Sequence, residues 1–278
     1  MALAVFPAAR VQTGMNNHDL AGSFPRASDA QSRPFAAQFP RIQWLDYCGE
    51  CRPVRDTGGD FHDFIPLAPH GLAVSVGDVS AHEQDAGIPM PGLRALLRGL
   101  TAHGSGEIGR VVRDLNRAAW QASSGNFYAT LFHAYLDPDR QRLDYVSAGH
   151  EPALLIRRRS GRVHRLESTG AVLGLSDRAV YGHRTLPLEP GDLLVTHTDG
   201  VADARGADGS EFGEKGILRA VERHPAARAC DLTREILEAA ERHAGPGPQD
   251  DRTVVVVRFK GAAGNGQFEA AEEAVLAA

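Results

Sequence analysis

Lysine is almost missing from this chain of 278 residues: Lys215 and Lys260 are the only two, so nearly all of its positive charge is arginine. Positive charge is not in excess either. The formal net charge is -5, with both signs scattered along the sequence, which leaves no basic face for a nucleic acid to neutralise. Long apolar runs are lacking too, and none approaches the roughly 18 residues of a membrane span. Residues 1–7 have neither a basic start nor enough apolar length for a secretory signal. The resulting expectation is a cytoplasmic protein with no membrane and no nucleic-acid partner. Cysteine is scarce: Cys48, Cys51 and Cys230 form an odd set that does not read as a disulfide framework. Cys48-Gly49-Glu50-Cys51 has C-x-x-C spacing, but no second Cys or His pair follows at zinc-site distance. In an extended segment its two cysteines also point to opposite faces.

Several catalytic signatures are missing as well. A cysteine phosphatase needs an arginine six positions after its nucleophile, whereas Val54, Thr57 and Ile236 follow the three cysteines at that distance. There is no Gly-x-x-x-x-Gly-Lys loop, which excludes a P-loop nucleotidase. Asp137-Pro138-Asp139 carries a proline that marks a hairpin turn rather than an aspartyl-phosphate strand end. Gly104-Ser105-Gly106-Glu107-Ile108-Gly109 matches a dinucleotide fingerprint in form, but a helical pattern precedes it where a strand is required. Asn17-His18-Asp19 lacks companion histidines.

What is present is a set of aspartates at the ends of apolar runs. Gly77-Asp78-Val79-Ser80, Thr198-Asp199-Gly200 and Asp250-Asp251-Arg252-Thr253 each adjoin a Val, Leu and Thr-rich stretch that reads as a buried strand. Gly58-Gly59-Asp60-Phe61-His62-Asp63-Phe64 adds two more acids beside a glycine pair. Separated segments that each bring a carboxylate to a strand end would build a site of oxygen ligands, which suits hard divalent ions such as Mg2+ or Mn2+. Phosphate monoesters hydrolyse very slowly in water, and paired metal ions lower that barrier.

Taken in order with Phe127-Tyr128-Ala129-Thr130, Ala148-Gly149-His150-x-Pro152, Leu173-Gly174 and Pro190-Gly191-Asp192-Leu193-Leu194, these motifs resemble the SpoIIE/RsbU-type branch of the PP2C-like metal-dependent serine/threonine phosphatases. The resemblance runs from about residue 40 to residue 260. It implies an α+β fold, the PP2C-like α-β-β-α sandwich of two packed, mainly antiparallel sheets flanked by helices. It implies two Mn2+ or Mg2+ ions, with Asp78 bridging them, Val79 giving its backbone carbonyl, and Asp199 and Asp250 completing the set. Asp60 and Asp63 match the acidic pair that holds water in the metal shell, Asp251 a supporting position, and Asp203 a support of the Thr-Asp-Gly loop. As substrate it implies a phosphorylated STAS-type anti-anti-sigma regulator in a bacterial partner-switching pathway.

Two departures stand out. Relatives continue Gly-Asp-Val-Ser with a glycine-rich turn, where this chain has Ala81-His82-Glu83. If that turn needs positive φ, each non-glycine residue costs roughly 1 kcal/mol or more. A weakly active or inactive binding module on the same fold is therefore the competing reading. The general acid and a phosphate-gripping arginine also have no assigned position. His150 reads as a structural hydrogen-bonding residue, and the tip Arg157-Arg158-Arg159-Ser160-Gly161-Arg162 as a solvated turn.

The expected organisation is a mobile arm over 1–38, one phosphatase domain over 39–260 and an Ala/Glu-rich tail over 261–278. Apolar spacing predicts a helix pair over 86–102 and 106–122, and further helices over 214–222 and 231–243. Strands are expected between them and a last one over 253–259. Oligomeric state has no signal in the sequence.

Overall fold

The structure, a computed structural model, describes residues 42–54, 58–81, 90–103, 107–122, 127–245 and 250–261. The expected arm over 1–38, the tail beyond residue 261, and the turn with His82 and Glu83 lie outside the described residues.

Ten strands form two sheets. β1 (Leu45–Arg52), β10 (Arg252–Phe259), β9 (Leu193–His197), β6 (Ala153–Ile156) and β7 (Val163–Leu166) make one, in that order. β2 (Asp60–Leu67), β3 (Gly71–Ala81), β4 (Phe127–Asp137), β5 (Arg142–Ala148) and β8 (Arg184–Pro187) make the other. Every pairing between these strands is antiparallel. The helices are α1 (Met90–His103), α2 (Ile108–Ala122), the single turn α3 (Asp199–Ala202), α4 (Gly213–Arg223) and α5 (Ala229–His243).

Packing follows side-chain parity. Leu72, Val74 and Val76 of β3 meet Val255, Val257 and Phe259 of β10 in the layer between the sheets. Ala73 and Val79 point the other way, into a layer with Leu93 and Leu97 of α1 and Val111, Val112 and Leu115 of α2. On the far side, Val254 and Val256 pack with Ile217 of α4 and Ile236 of α5. The result is the expected α-β-β-α sandwich, with three apolar layers. β10 is buried on both faces, which is why its valines run without polar alternation. α2 buries Ile108, Val111, Val112, Leu115 and Ala119, a single helical stripe.

Three elements were not legible in advance: β2, whose polar and aromatic mixture hides a strand, β8 and α3. β8 is largely exposed and has no apolar alternation; it is a strand because it pairs with the edge of β5. The Thr198-Asp199-Gly200 turn is the entry to α3. One expectation is corrected. Cys48 on β1 and Cys230 on α5 form a disulfide across 182 positions of sequence, a pairing that spacing cannot reveal. Cys51 is free and lies on the opposite face of β1, as strand parity requires. Among the described residues no helix is long and apolar enough to cross a membrane.

Candidate metal centre

Asp60 opens β2 and lies directly opposite Asp78 of β3 in the antiparallel register. Both point between the sheets, on the face shared with Val74 and Val76. Like charges placed opposite each other are unfavourable, so this pair needs compensation from its surroundings. Part of it comes from hydroxyl groups. Thr198, just after β9, and Thr253 of β10 each donate to Oδ2 of Asp60, at 2.7 and 2.8 Å.

These bonds do not offset the burial. Asp60 is 2% exposed, and desolvation, with the charges of Asp78 and Asp251 behind it, pushes its pKa up to about 8. Burial, then the charges of Asp199, Asp250 and Asp251, push Asp78 up to about 6. Asp199 is raised by burial and next by Asp250. Asp78 lies opposite Asp60 and is pushed up by Asp199 and Asp250, so it is the acid at which these segments, far apart in sequence, converge. Among the described residues none of these four forms an ion pair.

The backbone makes this convergence possible through two glycines. A Cβ on Gly59 would stand 2.5 Å from the Val79 carbonyl oxygen and 2.8 Å from Oδ1 of Asp78. On Gly200 it would lie against the Asp251 carbonyl, with Cβ of Asp250 at 3.1 Å. Only glycine permits either approach. The Val79 carbonyl thus reaches the same place as the Asp78 carboxylate. Asp251 faces away from this role: Oδ1 accepts the Val54 N–H at 2.7 Å and Oδ2 the Gly59 N–H at 2.9 Å, so it pins the glycine loop to the sheet. Asp203 closes α3, its N–H donating to the Asp199 carbonyl at 2.7 Å.

Asp63 is the exception among the anticipated acids. It stands three positions after Asp60 on the same strand, so it faces α1 instead of the space between the sheets. Arg98 donates to both of its carboxylate oxygens, at 3.1 and 2.9 Å, and Arg94 lies at 3.4 Å. The structure therefore assigns Asp63 to anchoring α1, which corrects its placement with Asp60.

His150 has a hydrogen-bonding role. Its Nδ1 lies 2.8 Å from Oγ1 of Thr130, the residue across from Asp78. Burial pushes its pKa down to about 3, so it is neutral at physiological pH and is not the imidazolium that would serve as a general acid. Arg157 is likewise structural: it pairs with buried Asp192 of the Pro190-Gly191-Asp192 turn, leaving Arg158, Arg159 and Arg162 exposed. Sequence reasoning missed the two threonines that hold Asp60, although each stands inside a motif, one residue before Asp199 and two after Asp251.

The carboxylates and the Val79 carbonyl are oxygen donors that fit a hard divalent ion, and the neighbouring Cys51 thiol is held protonated, burial pushing it up to about 12. Among the described residues no three His, Cys, Asp or Glu side chains close on a single point as a finished cage.

Comparisons with known proteins bear on the fold and the family. The chain is 27% identical over 237 residues to Protein IcfG of Synechocystis, covering 76% of this chain and 37% of that protein. It is 26% identical over 235 residues to the phosphoserine phosphatase RsbU of Bacillus subtilis, covering 84% of this chain and 69% of RsbU. The chain thus spans little more than a third of the first relative and about two thirds of the second. Among solved structures, the RsbU and RsbW domains of Rv1364c from Mycobacterium tuberculosis match at a TM-score of 0.66 and 25% identity, over 79% of this chain and 62% of that one. The catalytic domain of the serine threonine protein phosphatase PstP, solved with two manganese ions, shares the fold at a TM-score of 0.57 and 18% identity, over 77% of this chain and 97% of that one. The model of the Stage II sporulation protein E family matches residues 68–260, from the turn before β3 through the end of β10, and the chain belongs to that family.

Proposed function

We propose that the protein is a Mn2+- or Mg2+-dependent phosphatase that hydrolyses phosphoserine or phosphothreonine on a partner protein. The observation that carries this reading is the cluster of Asp60, Asp78, Asp199 and Asp250, in which Asp60 is buried, Asp78 and Asp199 are half-buried and Asp250 is exposed, and whose hydrogen-bond partners among the described residues are hydroxyls and backbone groups and not cations. Burying uncompensated carboxylates costs several kcal/mol unless a counter-charge arrives. Two ions held by Asp78, the Val79 carbonyl, Asp199 and Asp250, with Asp60 beside them, would supply that charge, polarise the phosphoryl group and activate water for attack. The chain's own part is positional: Thr198 and Thr253 fix Asp60, and Asp251 fixes the loop that delivers it.

The substrate we infer is a phosphorylated STAS-type anti-anti-sigma regulator, in keeping with the family and with a phosphoserine phosphatase among its relatives. The binding-module reading is not favoured, because a scaffold for binding alone has no use for four acids gathered around one buried carboxylate without a cation among their partners.

The test is hydrolysis of p-nitrophenyl phosphate by the full chain with Mn2+, with and without chelator, beside Asp199→Asn. Turnover should require the metal and collapse in the variant. Metal-independent turnover, or none under any divalent ion, would defeat the proposal.

A further inference from the structure

Register places one aromatic residue, Tyr128, at the mouth of the proposed centre. Thr130 of β4 lies opposite Asp78 of β3, and two residues outward Tyr128 lies opposite Ser80. Parity puts all four on the face between the sheets, since Val74, Val76, Phe132 and Ala134 of the same strands line that layer. Asp78 and Ser80, and likewise Thr130 and Tyr128, are therefore one pleat apart, about 7 Å.

On the other side of β4, β5 has ended at Ala148. The chain around Leu173 takes its place, exchanging two backbone hydrogen bonds with Ala129 at 3.1 and 2.8 Å. Antiparallel counting from that pair sets Gly174 beside Tyr128. A side chain at Gly174 would be strained, because its φ is 82° and a Cβ would meet the Phe127 carbonyl oxygen at 2.3 Å. Tyr128 is thus flanked across the strands by serine and glycine. Nothing larger than a hydroxymethyl group covers its ring from either neighbouring strand, and it remains 42% exposed while Phe127 beside it in sequence is fully buried.

A phosphorylated side chain that reaches Asp78 brings its flanking residues across this row. Resting on the phosphatase reading above, we propose that Tyr128 is a substrate-positioning residue whose ring takes an apolar side chain adjacent to the phosphoserine. The surface favours an apolar occupant, because serine and glycine across the strands leave the face of the ring bare. An aromatic ring offers a large rigid contact area at little cost in rotamer freedom.

The experiment uses the full chain with Mn2+ and three substrates: p-nitrophenyl phosphate, a phosphoserine peptide with leucine on both sides of the phosphoserine, and the same peptide with serine there. The parent should prefer the leucine peptide in kcat/KM by about tenfold, within the range for one apolar contact. Tyr128→Ser should abolish that preference through KM, and Tyr128→Phe should keep it. The inference is overturned if Tyr128→Ser retains the preference, or if it lowers turnover of p-nitrophenyl phosphate in the same proportion as the peptides, which marks a structural role. It is overturned on its own if the parent hydrolyses p-nitrophenyl phosphate but treats the two peptides alike. A parent inactive on all three overturns the phosphatase reading and this inference together.

Discussion

Asp60 and Asp63 stand three residues apart on β2, both almost completely buried, and are treated in opposite ways. Asp63, facing α1, receives Arg98 and Arg94. Asp60, facing the other sheet, receives two threonine hydroxyls and has two further carboxylates, Asp78 and Asp251, in its neighbourhood. Asp192, at the opposite end of β9 from Asp199, is like Asp63: buried and paired with an arginine. A buried carboxylate in a finished protein is ordinarily paired. Where this chain needs only architecture it supplies arginine, and where it leaves the acids unpaired, the missing charge is one that a divalent ion can provide.

The comparison breaks most visibly if the two acids can be exchanged in their effects. Asp78→Asn or Asp199→Asn should lower Mn2+-dependent turnover by at least about a hundredfold, beyond the 10- to 100-fold typical of outer-shell partners, with thermal unfolding of the metal-free protein unchanged or shifted upward. Asp63→Ala should do the reverse. It strips the partner from Arg98, and since Arg98 reaches solvent the loss should be about 2 to 3 kcal/mol, below that of a fully buried pair. Urea denaturation measures it, and the Mn2+ midpoint of any remaining activity should stay in place. Equal loss of turnover at normal stability in Asp63→Ala would restore Asp63 to the site.

The metal-free protein should also carry the signature of Asp60 in its pH dependence. The folded carboxyl holds its proton up to about 8, whereas the ordinary value is 3.8. The folded state therefore binds this proton more tightly than the unfolded chain, so its contribution is fully present below about 4 and is lost as pH rises toward 8. Melting temperature without metal should fall across that window. Added Mn2+ should reverse the fall, by about 2.7 kcal/mol at a hundredfold excess over Kd. A flat profile would mean that Asp60 titrates as an ordinary surface acid.

Smaller effects sharpen the picture. Thr198→Val with Thr253→Val leaves Asp60 buried without its two donors, and the Mn2+ midpoint for activity should rise 10- to 100-fold, as for other partners that orient a ligand. Ala81→Gly, at the end of β3, with Glu83→Gly, in the turn outside the described residues, should change turnover several-fold at most. A much larger gain would show that the natural turn holds the enzyme down.

How far these roles were legible varies residue by residue. The strand-end acids Asp78, Asp199 and Asp250 stand beside apolar runs that no surface loop would carry, and their order alone points to the family. The parity that separates Cys48 from Cys51 also separates Asp60 from Asp63. It required knowing that residues 60–67 are one strand, and the polar and aromatic mixture of Asp60-Phe61-His62-Asp63-Phe64 hides that. The hydroxyls of Thr198 and Thr253 sit inside recognisable motifs, yet nothing local says that both aim at Asp60, more than a hundred positions earlier.

The sequence by itself determined which segments extend, which coil, and that carboxylates gather at strand ends, because apolar periodicity and β-branched content act within a few residues. Tertiary structure alone decided which acid meets a cation, which cysteines join, and which side chain stands uncovered at the mouth. Those outcomes depend on register. Tyr128 is exposed only because β5 stops short and Gly174 falls beside it, and the pairing of distant strands that sets this is fixed by the packing of the whole sandwich, not by any stretch of the chain.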